Sequence, residues 1–207
     1  MASETHAPST RDRLVHAARE LFWRKGYNST SVAEILEAVD ANSGSLYHYF
    51  PTKQALLVAV LDWYADNLEP EIVDPAAERT SDPIERVFAI LDGYRRALLA
   101  TDLTFGCPIG NVALEIQEPD PEVREGLALN FDRWCAAVEA CFGEAGDRLP
   151  EDLDRRALSR FVLTTLEGGV MQARTHRRIE PFDASVRMLR DYVSRLEEEA
   201  RAGASHS

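Results

Sequence analysis

The chain has 207 residues, 45% of them hydrophobic and 28% charged, with a formal net charge of −12. That length and mix suit a globular protein with a buried core and exclude a wholly disordered chain. The charge excludes a general nucleic-acid coat protein, yet it is unevenly placed: residues 1–55 hold six Lys/Arg and six Asp/Glu, so the whole acidic excess lies beyond them.

The N-terminal MASETHAPST has no apolar segment of the kind an export signal needs, and residues 1–9 read as a disordered tail. Leu14, Ala17, Ala18, Leu21 and Phe22 then recur at helical spacing, with Arg24-Lys25 and Gly26 closing the first helix. Ser31-Val-Ala-Glu34 is a capping box that opens a second helix, with Val32, Ile35, Leu36 and Val39 facing inward. Asp40-Ala41 makes a tight turn, Asn42 caps a third short helix, and Pro51 stops it. Thr52 caps a fourth helix that runs to about Asn67.

EPEIVDPAAERTSDP reads as a linker. Asp82-Pro83-Ile84-Glu85 starts a helix running to about Ala100, which TDLTFG interrupts. Cys107-Pro108 opens a short helix to Gln117, and Asp120-Pro121 a longer one to about Gly143. Two amphipathic helices, about 151–177 and 183–202, precede a short polar tail at 203–207 that reads as disordered. The expected fold is therefore all-α, and no apolar run approaches the roughly 20 residues of a membrane span.

Three short helices with a tight turn between the second and third form a helix-turn-helix arrangement, expected over residues 10–55. The third helix would enter the major groove of double-stranded DNA. Asn42, Ser43, Gly44 and Ser45 at its start are short enough for close approach to base edges or phosphate. Tyr47 and His48 lie where they reach the DNA backbone, Lys53 can pair with a phosphate, and Thr30 offers a hydroxyl to another. A purely structural three-helix unit accounts for the same spacing.

GYNSTSVAEILEAVDANSGSLYHYFPTKQALL, residues 26–57, resembles the DNA-binding head of the TetR family of transcriptional repressors. The resemblance implies that Thr30, Tyr47, His48 and Lys53 hold phosphates and that Asn42 to Ser45 lie nearest the bases. Two departures stand out: Asp40 occupies a turn position where the family usually has Gly, and residues 41–50 hold no Arg or Lys. The resemblance further implies a repressor that binds a palindromic operator as a homodimer and releases it when a small-molecule effector binds the second domain, 56–202.

Within that domain, Leu158, Phe161, Val162, Thr165, Leu166 and Gly169 form one stripe, and Val186, Leu189, Val193 and Leu196 another. Paired across a twofold axis they would make a four-helix bundle, with Phe161, Thr165, Gly169, Leu189, Val193 and Leu196 at the interface. The same stripes facing the monomer's own core are the alternative. The expected effector pocket draws on Trp63, Tyr94, Phe105, Cys107, Phe131 and Trp134, with Asn111 and Glu115, one turn apart, as its polar groups.

TFGCPIGNVALEI, residues 104–116, resembles a segment of a TetR subgroup that includes flavonoid-sensing and electrophile-sensing members. Cys107 at a helix start is thus either packed or a sensor of electrophiles and oxidants. The odd set Cys107, Cys135 and Cys141, without CxxC spacing, suits reduced thiols in a cytoplasmic protein. No P-loop, GxSxG, HExxH or GxGxxG occurs, and His6, His16, His48, His176 and His206 lack metal spacing. No enzyme, cofactor or metal site is expected. A helical interaction protein that has lost DNA binding remains the rival reading.

Overall fold

The computed structural model describes residues 8–204. Most of the two expected disordered tails lies outside that range, although Ser9 lies inside it and caps the first helix. Ten α-helices and no strand occur among the described residues. They are α1 (Thr10–Lys25), α2 (Val32–Ala38), α3 (Ser43–Tyr49), α4 (Lys53–Asp66) and α5 (Asp74–Arg79). Then follow α6 (Pro83–Ala100), α7 (Pro108–Glu115), α8 (Pro121–Glu144), α9 (Arg155–His176) and α10 (Glu180–Ala204). The expected linker at 69–83 is mostly helical instead: a π-helical turn, Glu69–Val73, runs into α5, and Pro70 and Pro75 are tolerated at first-turn positions.

Compactness divides the chain into two units, and the division differs from a boundary near residue 55. Of the described residues, the first unit contains those up to Asp66 together with Pro108–Asn130. The second contains Asn67–Cys107 and the described residues from Phe131 onward. Helix α4, all of α7 and the first part of α8 therefore belong with the helix-turn-helix. Sequence order hid this because the joining contacts are long-range. On α8, Asn130 donates from Nδ2 to the Leu61 carbonyl at 3.0 Å, and a Cβ on Gly126 would stand 3.1 Å from Leu61 Cδ1.

In the first unit, Leu14, Ala18, Phe22, Ile35, Leu46, Leu56, Leu57 and Leu61 are buried, and α1 packs on α2, α3, α4 and α7. In the second, α6, α9 and α10 and the later turns of α8 enclose an apolar core that includes Phe88, Trp134, Phe142, Leu166, Phe182, Leu189 and Val193. Gly169 lets α10 approach α9 closely, since a Cβ there would lie 3.1 Å from the Phe182 ring. Arg148 closes this unit at one end, binding Asp82 at 2.7 Å and Glu197 at 2.8 Å.

Candidate nucleic-acid interface

Helix α3 has a polar start, an exposed outer face and a buried inner one. Asn42 caps it, its Oδ1 accepting from the Ser45 amide at 2.9 Å and from the Ser45 hydroxyl at 3.2 Å. Ser43, Gly44, Tyr47 and His48 are exposed, while Leu46 and Phe50 are fixed in the core. Ser45 is half-buried beneath its cap. Four consecutive short residues thus start a helix whose far side is anchored by two large apolar groups, so its outer face is rigidly presented.

The turn before α3 explains the departure at Asp40. Its φ is +48°, in the left-handed region, and the Asp40 and Ala41 amides donate back to the Glu37 and Leu36 carbonyls at 3.3 and 3.0 Å. The geometry is one that Gly meets freely and Asp meets better than most other residues.

Thr30 lies elsewhere than expected. Its side chain is only 1% exposed, and its hydroxyl donates to the Gly26 carbonyl at 2.8 Å. A hydroxyl turned into the fold cannot hold a phosphate in this conformation; the exposed hydroxyl at this helix start is that of Ser31, which caps α2. Lys53 is also engaged: its ammonium donates to the Tyr27 carbonyl and lies 4.2 Å from the Tyr27 ring centroid. Partial burial lowers the Lys53 ammonium from its ordinary value, and the charges of Glu115 and Glu34 oppose that shift.

Glu115, expected to be a polar group of the effector pocket, is spent on the same turn. Its carboxylate accepts from the Tyr27 amide at 2.8 Å and the Asn28 amide at 2.6 Å. Trp63 carries the Arg19 guanidinium at 3.9 Å from its ring centroid. Trp63, Asn111 and Glu115 belong to the first unit, whereas Tyr94, Phe105, Cys107, Phe131 and Trp134 belong to the second.

Of the latter, Tyr94, Cys107 and Trp134 come together in the second unit with Glu167, which periodicity did not single out. The signal was an acid inside the apolar run Leu166-Glu167-Gly168-Gly169-Val170. Desolvation raises the Glu167 carboxyl above its ordinary value, and a hydrogen bond with Cys107 partly offsets this. Desolvation also raises the Tyr94 phenol, helped by Cys107 and Glu167. Glu167 Oε1 is buried without a hydrogen-bond partner, while a hydrogen bond with Trp134 works against the rise at Tyr94.

The expected dimer surface splits in two. Leu189 and Val193 are 1% exposed and Leu196 is buried beside them, so these three pack into the core of their own unit. Gly169 serves the α9–α10 contact there. On α9 the open side keeps the expected Phe161 and Thr165, while on α10 it is offset by one residue. Phe161 (47% exposed), Thr165, Met188 (65%) and Tyr192 (45%) line a groove of about 940 Å³.

Family comparison agrees with this architecture. Residues 14–60 match the model described as bacterial regulatory proteins, tetR family, and residues 83–188 match the C-terminal domain of LmrA/YxaF-like transcriptional regulators. The chain belongs to the TetR family of bacterial transcriptional regulators. An uncharacterized HTH-type transcriptional regulator of Mycobacterium tuberculosis is 32% identical over 88% of this chain and 93% of its own. The HTH-type transcriptional repressor DhaR of Mycobacterium sp. (strain GP1) is 27% identical over 84% and 86%. A cysteine mutant of the TetR-family regulator CifR, solved with a 26 bp operator duplex, superposes with a TM-score of 0.71 at 25% identity, over 91% of this chain and 98% of that one. A TetR-family chain of this kind is a transcriptional regulator and not an enzyme. Among the described residues, no helix is long and apolar enough to cross a membrane and no cluster suits a metal ion.

Proposed function

We propose that this TetR-family chain is a repressor that binds a twofold-symmetric DNA operator as a homodimer and releases it when a small-molecule effector occupies the second unit. The observation that carries the reading is α3, whose start is small and polar and whose outer face is open while Leu46 and Phe50 anchor it. Asn42, Ser43, Gly44 and Ser45 lie nearest the bases, Tyr47 and His48 lie towards the phosphates, and Lys53 reaches one from its place on the Tyr27 carbonyl. Their short reach and the lack of Arg or Lys on α3 make base contacts close-range or water-mediated. Two copies are required because major-groove half-sites recur about 34 Å apart. The open apolar groove on α9 and α10 supports a second copy as its occupant. The effector is received beside Tyr94, Cys107, Trp134 and Glu167, where one buried carboxylate oxygen has no protein partner.

Selection of duplexes from a random pool at low salt, followed by gel shift, tests the reading. The expected result is a symmetric site bound by the dimer. Tyr47→Phe should weaken every duplex by a similar factor, and Ser43→Ala should reorder preferences among them. An intact dimer that retains no duplex at low salt would refute it.

A further inference from the structure

The loop between α1 and α2 is held more firmly than a surface turn requires. It leaves α1 through Gly26, whose φ of +89° suits glycine, and enters α2 at Ser31. The two successive amides of Tyr27 and Asn28 converge on one carboxylate, that of Glu115, which arrives from α7, 87 and 88 residues away in the chain. A Cβ on Gly26 would stand 3.0–3.3 Å from that carboxylate, so the missing side chain leaves it room. Lys53, from α4, donates to the Tyr27 carbonyl, and the Thr30 hydroxyl donates to that of Gly26 at 2.8 Å. Glu115 and Lys53 from elsewhere in the first unit, with Thr30 from within the turn, thus fix both polar faces of this six-residue segment.

Satisfying polar groups does not explain the arrangement, because Asn28 is exposed and water could serve its amide. What a charged acceptor adds is one preferred orientation of the two peptide planes, through charge-assisted hydrogen bonds. That orientation sets where α2 begins, and α2 packs directly on α3. We infer that Glu115 is a positioning residue for DNA binding: from α7 it locks the α1–α2 turn in the conformation that presents α3 to a duplex, without touching the DNA. The inference rests on the DNA-binding reading above.

The test uses the full chain and a duplex selected with the wild type. Glu115→Ala should weaken binding about tenfold on all duplexes, the scale of two lost hydrogen bonds partly replaced by water. The salt dependence should stay the same, since no phosphate contact is removed. The active fraction from stoichiometric titration should also be unchanged, whereas a merely structural role would lower that fraction and spare the Kd. The Tyr27 and Asn28 amides should exchange faster with solvent. Glu115→Gln keeps one acceptor oxygen and should fall about midway; it carries the test if the alanine variant does not fold. Wild-type binding with both variants within twofold of it overturns this inference alone. A wild type that retains no duplex removes the DNA-binding reading and this inference with it.

Discussion

Glu167 shows what a single partly buried carboxyl contributes in the second unit. It sits on α9 beside Cys107 and Tyr94, with one carboxylate oxygen unpartnered, and desolvation raises its carboxyl. A raised carboxyl binds its proton more tightly in the folded state than in the unfolded one. Stability is therefore greatest below the ordinary glutamate range and is lost as pH rises from there through the folded value. Glu167→Gln carries no charge at any pH, so its Tm should exceed the wild type's at pH 8. The two should converge near pH 4, with each 1 kcal/mol worth about 2–4 °C in a chain of this size. A Tm difference that does not vary with pH would rule out the carboxyl as its source. Burial raises the thiols of Cys135 and Cys141 too, which favours the protonated form over the nucleophilic thiolate.

At the scale of elements, short helices depend on their ends. Helix α2 has seven residues, too few to form alone, and its start is a full capping box. Ser31 accepts from the Glu34 amide at 3.2 Å, and Glu34 accepts from the Ser31 amide at 2.8 Å. Removing the hydroxyl in Ser31→Ala should cost about 1 kcal/mol in urea unfolding. The Glu34 carboxyl is held at about 2, first by the hydrogen bond from Lys25 and then by those from the Ser31 amide and hydroxyl. Its folded value is depressed, so its contribution is present above the ordinary carboxylate range and disappears as pH falls towards 2. Glu34→Gln should flatten the acid limb of the stability profile, and an unaltered limb would mean that the ion pair is idle. Capping boxes and proline starts were legible because their partners lie within three residues. The helicity of 69–79 was missed because two prolines look like loop residues until their first-turn positions are seen.

For the whole molecule, the open groove and the packed face of α10 make opposite demands. Phe161 and Tyr192 meet edge to face, 5.9 Å between centroids, and both are exposed. For the homodimer proposed above, replacing Phe161 by Glu should give a monomer in sedimentation velocity while leaving the unfolding midpoint of the monomer nearly unchanged. Leu189→Glu should instead unfold the second unit, because it puts a charge into that core, at a cost of several kcal/mol. A dimer that survives Phe161→Glu would place the interface elsewhere. Periodicity found both apolar helices, and the unit's own core takes the α10 stripe, which is the alternative the sequence left open. Leu189, Val193 and Leu196 are the more hydrophobic stripe, and a protein fills its own core first.

The sequence by itself determined the all-α class, the caps, the Asp40 turn and a small-residue start to α3, since each depends on residues within about four positions. It also carried the family resemblance in residues 26–57. Only the tertiary structure decided that Thr30 faces inward, that α10 turns Met188 and Tyr192 outward, and that Glu115 reaches back to the α1–α2 turn. These outcomes depend on which distant surfaces meet, and a carboxylate 87 residues from its partner leaves no periodic trace in the chain.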